Sequence, residues 1–170
     1  MTEYSEQEFE AASRLGEILK NKGWLLVTAE SCTGGLLAGA ITSVSGSSEW
    51  YDRGFVTYTN ESKIELLDVN EQALQKFGAV SEQVAIEMAE GALTRTITAT
   101  CAMSTTGIAG PTGGTEGKPV GMVCFALAYR KKDGIVTLPF TRHFSGDRAQ
   151  VRQQSVLFAL TAASRIFEEN

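Results

Sequence analysis

The chain is poor in the residues from which the commonest catalytic centres are built. Histidine occurs once, at His143. A site of several imidazoles therefore cannot be assembled within one chain, and Ser-His or Cys-His catalysis would have to use that one ring. Cysteine occurs three times, at Cys32, Cys101 and Cys124, never in a C-x-x-C spacing. Zinc knuckles and thioredoxin-like redox motifs are thereby excluded, and no metal is expected. An odd cysteine count, beside the acidic N-terminus MTEYSEQEFE, reads as reduced thiols in a cytoplasmic protein without a secretory signal. Long apolar runs are missing too. The longest, Met122 to Tyr129, has eight residues, against the roughly 20 of a membrane helix, so no membrane partner is expected. Positive charge is scarce: fifteen Lys and Arg oppose twenty Asp and Glu, a formal charge of −5. With no basic run, nucleic acid is not an expected partner. The three prolines all lie beyond residue 110, and neither a linker nor a repeat divides the 170 residues. One domain, 1–170, is expected.

What is present alternates between helix and strand. Ser5 to Lys20 opens with Ser5 and Glu8 at capping-box spacing, and Ala12, Leu15, Gly16 and Leu19 form one helical stripe before Gly23 stops it. Trp24 to Thr28 is short and apolar, which suits a buried strand. Glu30 to Gly35 then turns into a small-residue helix through Leu36, Ala40 and Val44. Phe55 to Tyr58 reads as a strand, and Asn60 caps a short helix over Lys63 to Leu67. Ser81 starts a helix with Ala85, Met88, Ala89 and Ala92 on one face. Ala99 to Ser104 reads as a strand that runs into the glycine-rich loop Thr105 to Gly117. Val120 to Arg130 and Ile135 to Phe144 form an antiparallel pair turned at Asp133-Gly134. The last helix starts at Asp147, with Gln150 three residues on and Val156, Leu160, Ala163 and Phe167 as its buried stripe. This alternation argues an α/β fold, with a mixed sheet because of the late hairpin. The expected architecture is a single-domain three-layer α/β/α sandwich.

Four segments can carry chemistry. In Ala29-Glu30-Ser31-Cys32-Thr33-Gly34-Gly35, a serine stands at a strand-to-helix turn, where unpaired backbone amides can hold an oxyanion or a phosphate. Ser31 or Thr33 can equally be an ordinary helix cap. In Tyr58-Thr59-Asn60-Glu61-Ser62-Lys63, a lysine one turn into a helix becomes a base if it is desolvated, and Tyr58 can share its proton. Most lysines are instead surface residues. The loop from Ser104 through Thr105, Thr106, Gly107 and Gly110 to Gly114 follows a strand, at the sheet edge where α/β proteins bind ligands, and its amides and hydroxyls suit an anion. It is not a Walker A loop: Gly113 to Gly117 is one residue too short, and Pro119 follows Lys118. Arg148 and Arg152 share a helix face after Phe144-Ser145-Gly146-Asp147 and can clamp a phosphate or carboxylate, or simply form a solvated helix start. His143 reads as structural, Cys101 and Cys124 as core, and Cys32 as turned away from the site.

In this order the segments resemble the CinA C-terminal domain family, whose characterised activity is nicotinamide mononucleotide deamidation. The resemblance is carried by residues 29–35, Gly54-Phe55-Val56-Thr57-Tyr58 with Lys63, Gly78-Ala79-Val80-Ser81, Thr106 to Gly114, Lys118-Pro119-Val120-Gly121 and residues 144–148. It implies hydrolysis of the carboxamide to nicotinic acid mononucleotide and ammonia, without metal or cofactor. Ser31 would be the nucleophile and Lys63 its base, and Tyr58 would orient Lys63 or relay its proton. Amides at the Ser31 turn, or in Thr105 to Gly107, would hold the oxyanion. Glu30, Thr33, Gly34, Thr105, Thr106, Gly107, Gly110, Arg148 and Arg152 would bind substrate. The resemblance also implies a bacterial, cytoplasmic protein that forms homodimers. Longer relatives carry an additional N-terminal domain, whose functions are not transferred to this chain. Two other readings are a catalytically silent paralogue that binds a pyridine nucleotide or a partner protein, and a phosphate-transfer enzyme. The latter would want acidic magnesium ligands near the loop, where only Glu116 is available.

Overall fold

The computed structural model describes residues 3–170, with side chains from residue 5 onward. Met1 and Thr2, the start of the acidic N-terminal stretch, lie outside the described residues. Strands β1 (Leu26–Glu30), β2 (Tyr51–Val56), β3 (Cys101–Gly107), β4 (Met122–Lys131) and β5 (Gly134–His143) form one sheet in the order β2-β1-β3-β4-β5. β1 runs parallel to β2 and β3, whereas β3, β4 and β5 pair antiparallel, so the sheet is mixed. The helices are α1 (Glu3–Lys22), α2 (Leu36–Thr42), α3 (Asn60–Leu67), α4 (Glu71–Phe77), α5 (Glu82–Arg95) and α6 (Arg148–Glu169).

Strand alternation sorts the core into two layers. Val123, Phe125, Leu127 and Tyr129 of β4 pack with Leu15, Leu37, Leu160 and Phe167 from α1, α2 and α6. Cys124, Ala126 and Ala128 on the opposite face pack with Ala85, Met88, Ala89 and Ala92 of α5. Small side chains on both partners bring α5 close to the sheet. The result is the expected three-layer α/β/α sandwich. Cys101 and Cys124 are core residues, as read.

Several element edges differ from expectation, each for a local reason. α1 begins upstream of Ser5, so Ser5 lies inside it and not at the N-cap position. β1 extends to Glu30 because strand pairing continues there against Val56 and Thr105. β2 begins at Tyr51; its exposed polar residues Asp52 and Arg53 are tolerated on an edge strand. α3 is capped by Thr59, not Asn60, through a reciprocal pair with Ser62. α4 and a 3₁₀ turn at Ser47–Glu49 are too short to leave a periodic signal. The caps at Ser81 and Asp147 and the stop at Gly23 (φ 67°) stand where the sequence puts them.

The topology opens a crevice at one place. From β1 the chain passes over one face by α2 to reach β2, and returns over the other face by α3, α4 and α5 to reach β3. Neighbours β1 and β2 thus send their connections to opposite faces, which leaves a gap beyond their carboxyl ends, beside the end of β3. Ser31 is the first residue after β1, and Thr105 to Gly107 end β3.

Candidate active site

At this gap the Ser31 amide donates to the Thr105 carbonyl at 2.9 Å, and the residue is 8% exposed. Lys63, on the first turn of α3, runs inward and is 1% exposed. Its Nζ lies 2.9 Å from Ser31 Oγ, 2.8 Å from the Thr57 carbonyl and 3.4 Å from the Tyr58 carbonyl. It joins none of the four ion pairs among the described residues. Burial lowers its pKa to about 8, with the Cys32 sulfur acting weakly in the opposite sense. The three neighbours fix what the neutral amine does. Two carbonyls can only accept, so they take its two N–H bonds. The lone pair is left facing Ser31 Oγ, whose hydroxyl then donates to it.

A cavity of about 270 Å³ opens over this pair. Of the residues expected at a site, Ser31, Tyr58, Lys63, Thr106, Gly107, Gly110 and Arg148 border it. No Asp or Glu does so among the described residues. The Tyr58 hydroxyl accepts from Arg148 Nη2 at 2.9 Å, and Arg148 Nη1 donates to the Gly110 carbonyl at 2.8 Å. Tyr58 therefore reaches Lys63 through its main-chain carbonyl, not its phenol. The Thr106 hydroxyl is engaged by the Ala79 carbonyl at 2.8 Å.

Glu30, Thr33, Gly34, Thr105 and Arg152 do not border the cavity. They form its foundation. The Glu30 carboxylate accepts from Thr33 Oγ1 (2.5 Å) and from the amides of Gly35 (3.2 Å), Leu37 (2.9 Å) and Ala38 (3.1 Å). Thr33 Oγ1 also bonds Thr105 Oγ1 at 2.8 Å, tying the turn to β3. Arg152 donates to the Cys32 carbonyl at 3.1 Å and the Thr33 carbonyl at 3.4 Å. The amides that open α2 are thus spent on Glu30 and are not free for an oxyanion. Gly34 and Gly35, at φ 56° and 102°, allow the turn its left-handed path. Cys32 borders the cavity, but its side chain packs in the core; burial, and next the Glu30 charge, push its thiol up to about 12. His143 is exposed at the end of β5 and does not border the cavity. No helix among the described residues is long and apolar enough to cross a membrane, and no group of three His, Cys, Asp or Glu could hold a metal.

Residues 8–167 match the model of the CinA C-terminal domain. The chain belongs to the CinA C-terminal domain family. It is 53% identical over 161 residues to the nicotinamide-nucleotide amidohydrolase PncC of Enterobacter agglomerans, covering 95% of this chain and 96% of that one. A CinA-like protein of Chloroherpeton thalassium is 50% identical over 145 residues, which are 85% of this chain but 34% of the relative. Among solved structures, competence damage-inducible protein A of Klebsiella pneumoniae superposes with a TM-score of 0.87 at 37% identity, covering 93% of this chain and 95% of that chain.

In this CinA domain, sequence reasoning missed Asn60, Ala79, Val80, Ile108, Ala109 and Thr112 as cavity residues. Asn60 is visible only as a candidate cap, and the apolar residues carry no chemical signal of their own. Glu30 has a signal that could have been used: a carboxylate at the end of a wholly buried strand needs several donors, and a helix start supplies them.

Proposed function

We propose that this CinA domain protein deamidates nicotinamide mononucleotide to nicotinic acid mononucleotide and ammonia. The observation that carries the proposal is the buried Lys63 Nζ, outside every ion pair among the described residues and set 2.9 Å from Ser31 Oγ. The relatives named as nicotinamide-nucleotide amidohydrolases support the choice of substrate.

Ser31 Oγ attacks the carboxamide carbon while Lys63 takes its proton. The amide of Cys32, next after the nucleophile, is the donor assigned to the oxyanion. Lys63 then gives its proton to the departing nitrogen, which leaves as ammonia. Water cleaves the resulting ester on Ser31; Lys63 takes the water proton and returns it to Ser31 Oγ. The pair is thereby restored, and the product carboxylic acid loses its proton to solvent. Arg148 is a guanidinium at the cavity that joins no ion pair among the described residues, and it suits the substrate phosphate. Its hold on Tyr58 makes that phenol part of the same wall.

Ammonia release from nicotinamide mononucleotide, measured with and without a chelator, tests the proposal. The wild type is expected to turn over equally in both, whereas Ser31→Ala and Lys63→Ala lose at least about 1,000-fold in kcat with the fold retained. Binding without turnover in the wild type would mark a silent paralogue. Residues 1–170 are proposed to act as one cytoplasmic catalytic domain and to pair as a homodimer; light scattering that gives a monomer mass would remove the dimer.

A further inference from the structure

Arg152 is read from the sequence as a substrate contact, yet its guanidinium turns away from the cavity and into the back of the Ser31 turn. Nε and Nη2 hold the carbonyls of Cys32 and Thr33. Residue 34 is a glycine at φ 56°, and a Cβ there would stand 3.2 Å from Nη2, so that the guanidinium would have to shift by a few tenths of an ångström. Within the turn, the Ser31 carbonyl accepts from the Gly34 amide at 3.0 Å, and the Thr33 carbonyl accepts from the Leu36 amide at 2.9 Å. The Cys32 carbonyl, between them, is held by Arg152. In a planar trans peptide the N–H points opposite the carbonyl of the same unit. Fixing the Cys32 carbonyl behind the turn therefore aims the Thr33 amide away from Arg152, just as fixing the Ser31 carbonyl sets the direction of the Cys32 amide.

We propose that Arg152 is a positioning residue: it binds no substrate, and by holding the Cys32 and Thr33 carbonyls it sets the Gly34 amide on the Ser31 carbonyl and so aims the Cys32 amide at the oxyanion. The inference rests on the acyl-transfer reading above. It places the two arginines of one helix face in different roles, Arg148 at the ligand and Arg152 behind the nucleophile. Nothing else among the described residues donates to the Cys32 carbonyl.

The test compares Arg152→Ala, Arg152→Gln and Arg152→Lys in the full chain with two substrates, nicotinamide mononucleotide and its riboside, which lacks the phosphate. A positioning residue lowers kcat on the order of 30-fold for both substrates and leaves KM nearly unchanged. Arg152→Lys keeps one donor and recovers part of the loss. A raised KM for the nucleotide alone would make Arg152 a phosphate ligand and overturn the inference. A second readout does not depend on the amide substrate: the rate at which a fluorophosphonate labels Ser31, followed by intact mass. Labelling slows in Arg152→Ala and Arg152→Gln by a similar factor while the melting temperature marks both as folded. Labelling at the wild-type rate overturns the inference even if the nucleotide proves not to be a substrate. Wild-type labelling without nucleotide turnover removes the substrate reading and leaves the role of Arg152 standing or falling on the labelling rates.

Discussion

An ammonium buried to 1% exposure between two carbonyls and a hydroxyl has given up most of the hydration that favours its charge in water. Its pKa of about 8 is the direct consequence, and it sets the pH dependence of the reaction. The active form is the neutral amine, so kcat/KM is expected to rise about tenfold per pH unit below about 8 and to level off above it. Ammonia release measured from about pH 6 to 9.5 checks this, and a flat profile would remove Lys63 as the base. Ser31 and Lys63 are legible as candidates because their types and their places after strands suit the chemistry. Glu30 and Arg152 mislead at the same scale. A charged residue beside a motif looks like a ligand contact, yet spacing alone does not say whether its side chain meets the cavity or the main chain behind it.

At the scale of elements, the site depends on close approach more than on any one strong contact. The α5 layer packs through alanines, and its Gly91 meets the end of α3: a Cβ there would lie 2.0 Å from the Leu67 carbonyl oxygen. Gly91→Ala is expected to push α3 from α5 and to cost about 2 kcal/mol or more, although alanine is the better helix former. Chemical denaturation measures that loss. A gain in stability would mean that the two helices have slack. Because Lys63 rides on α3, the variant should also lose activity at temperatures where it remains folded. Helix stripes and caps were legible here, since Ala85, Met88, Ala89 and Ala92 repeat at helical spacing after Ser81. Short elements were not. α4 has seven residues, and its ends are set by Asn70 and Gly78 within the fold instead of by a periodic pattern.

For the whole molecule, the buried lysine carries a stability cost that depends on pH. Lys63 titrates near 8 in the fold and near 10.5 when unfolded. Below pH 8 both states hold the proton and folding bears the full burden of burying it. Between 8 and 10.5 the unfolded chain binds more protons, so stability rises with pH, by about 3 kcal/mol at most. Lys63→Met should be inactive, more stable than the wild type at pH 7, and without this rise; a parallel pH dependence in the variant would assign the effect to other groups. What the sequence by itself determined is the layered α/β plan, written in strand alternation and helix stripes, and that one histidine and three cysteines without C-x-x-C spacing cannot build a several-imidazole site, a zinc knuckle or a thioredoxin-like motif within the chain. What only the tertiary structure decided is the chemistry of particular atoms. Thirty-two residues separate Ser31 from Lys63, and the divergence of the chain after neighbouring β1 and β2 brings them to 2.9 Å. Whether a lysine is a surface cation or a base depends on its solvation, and solvation is set by what the rest of the chain packs around it.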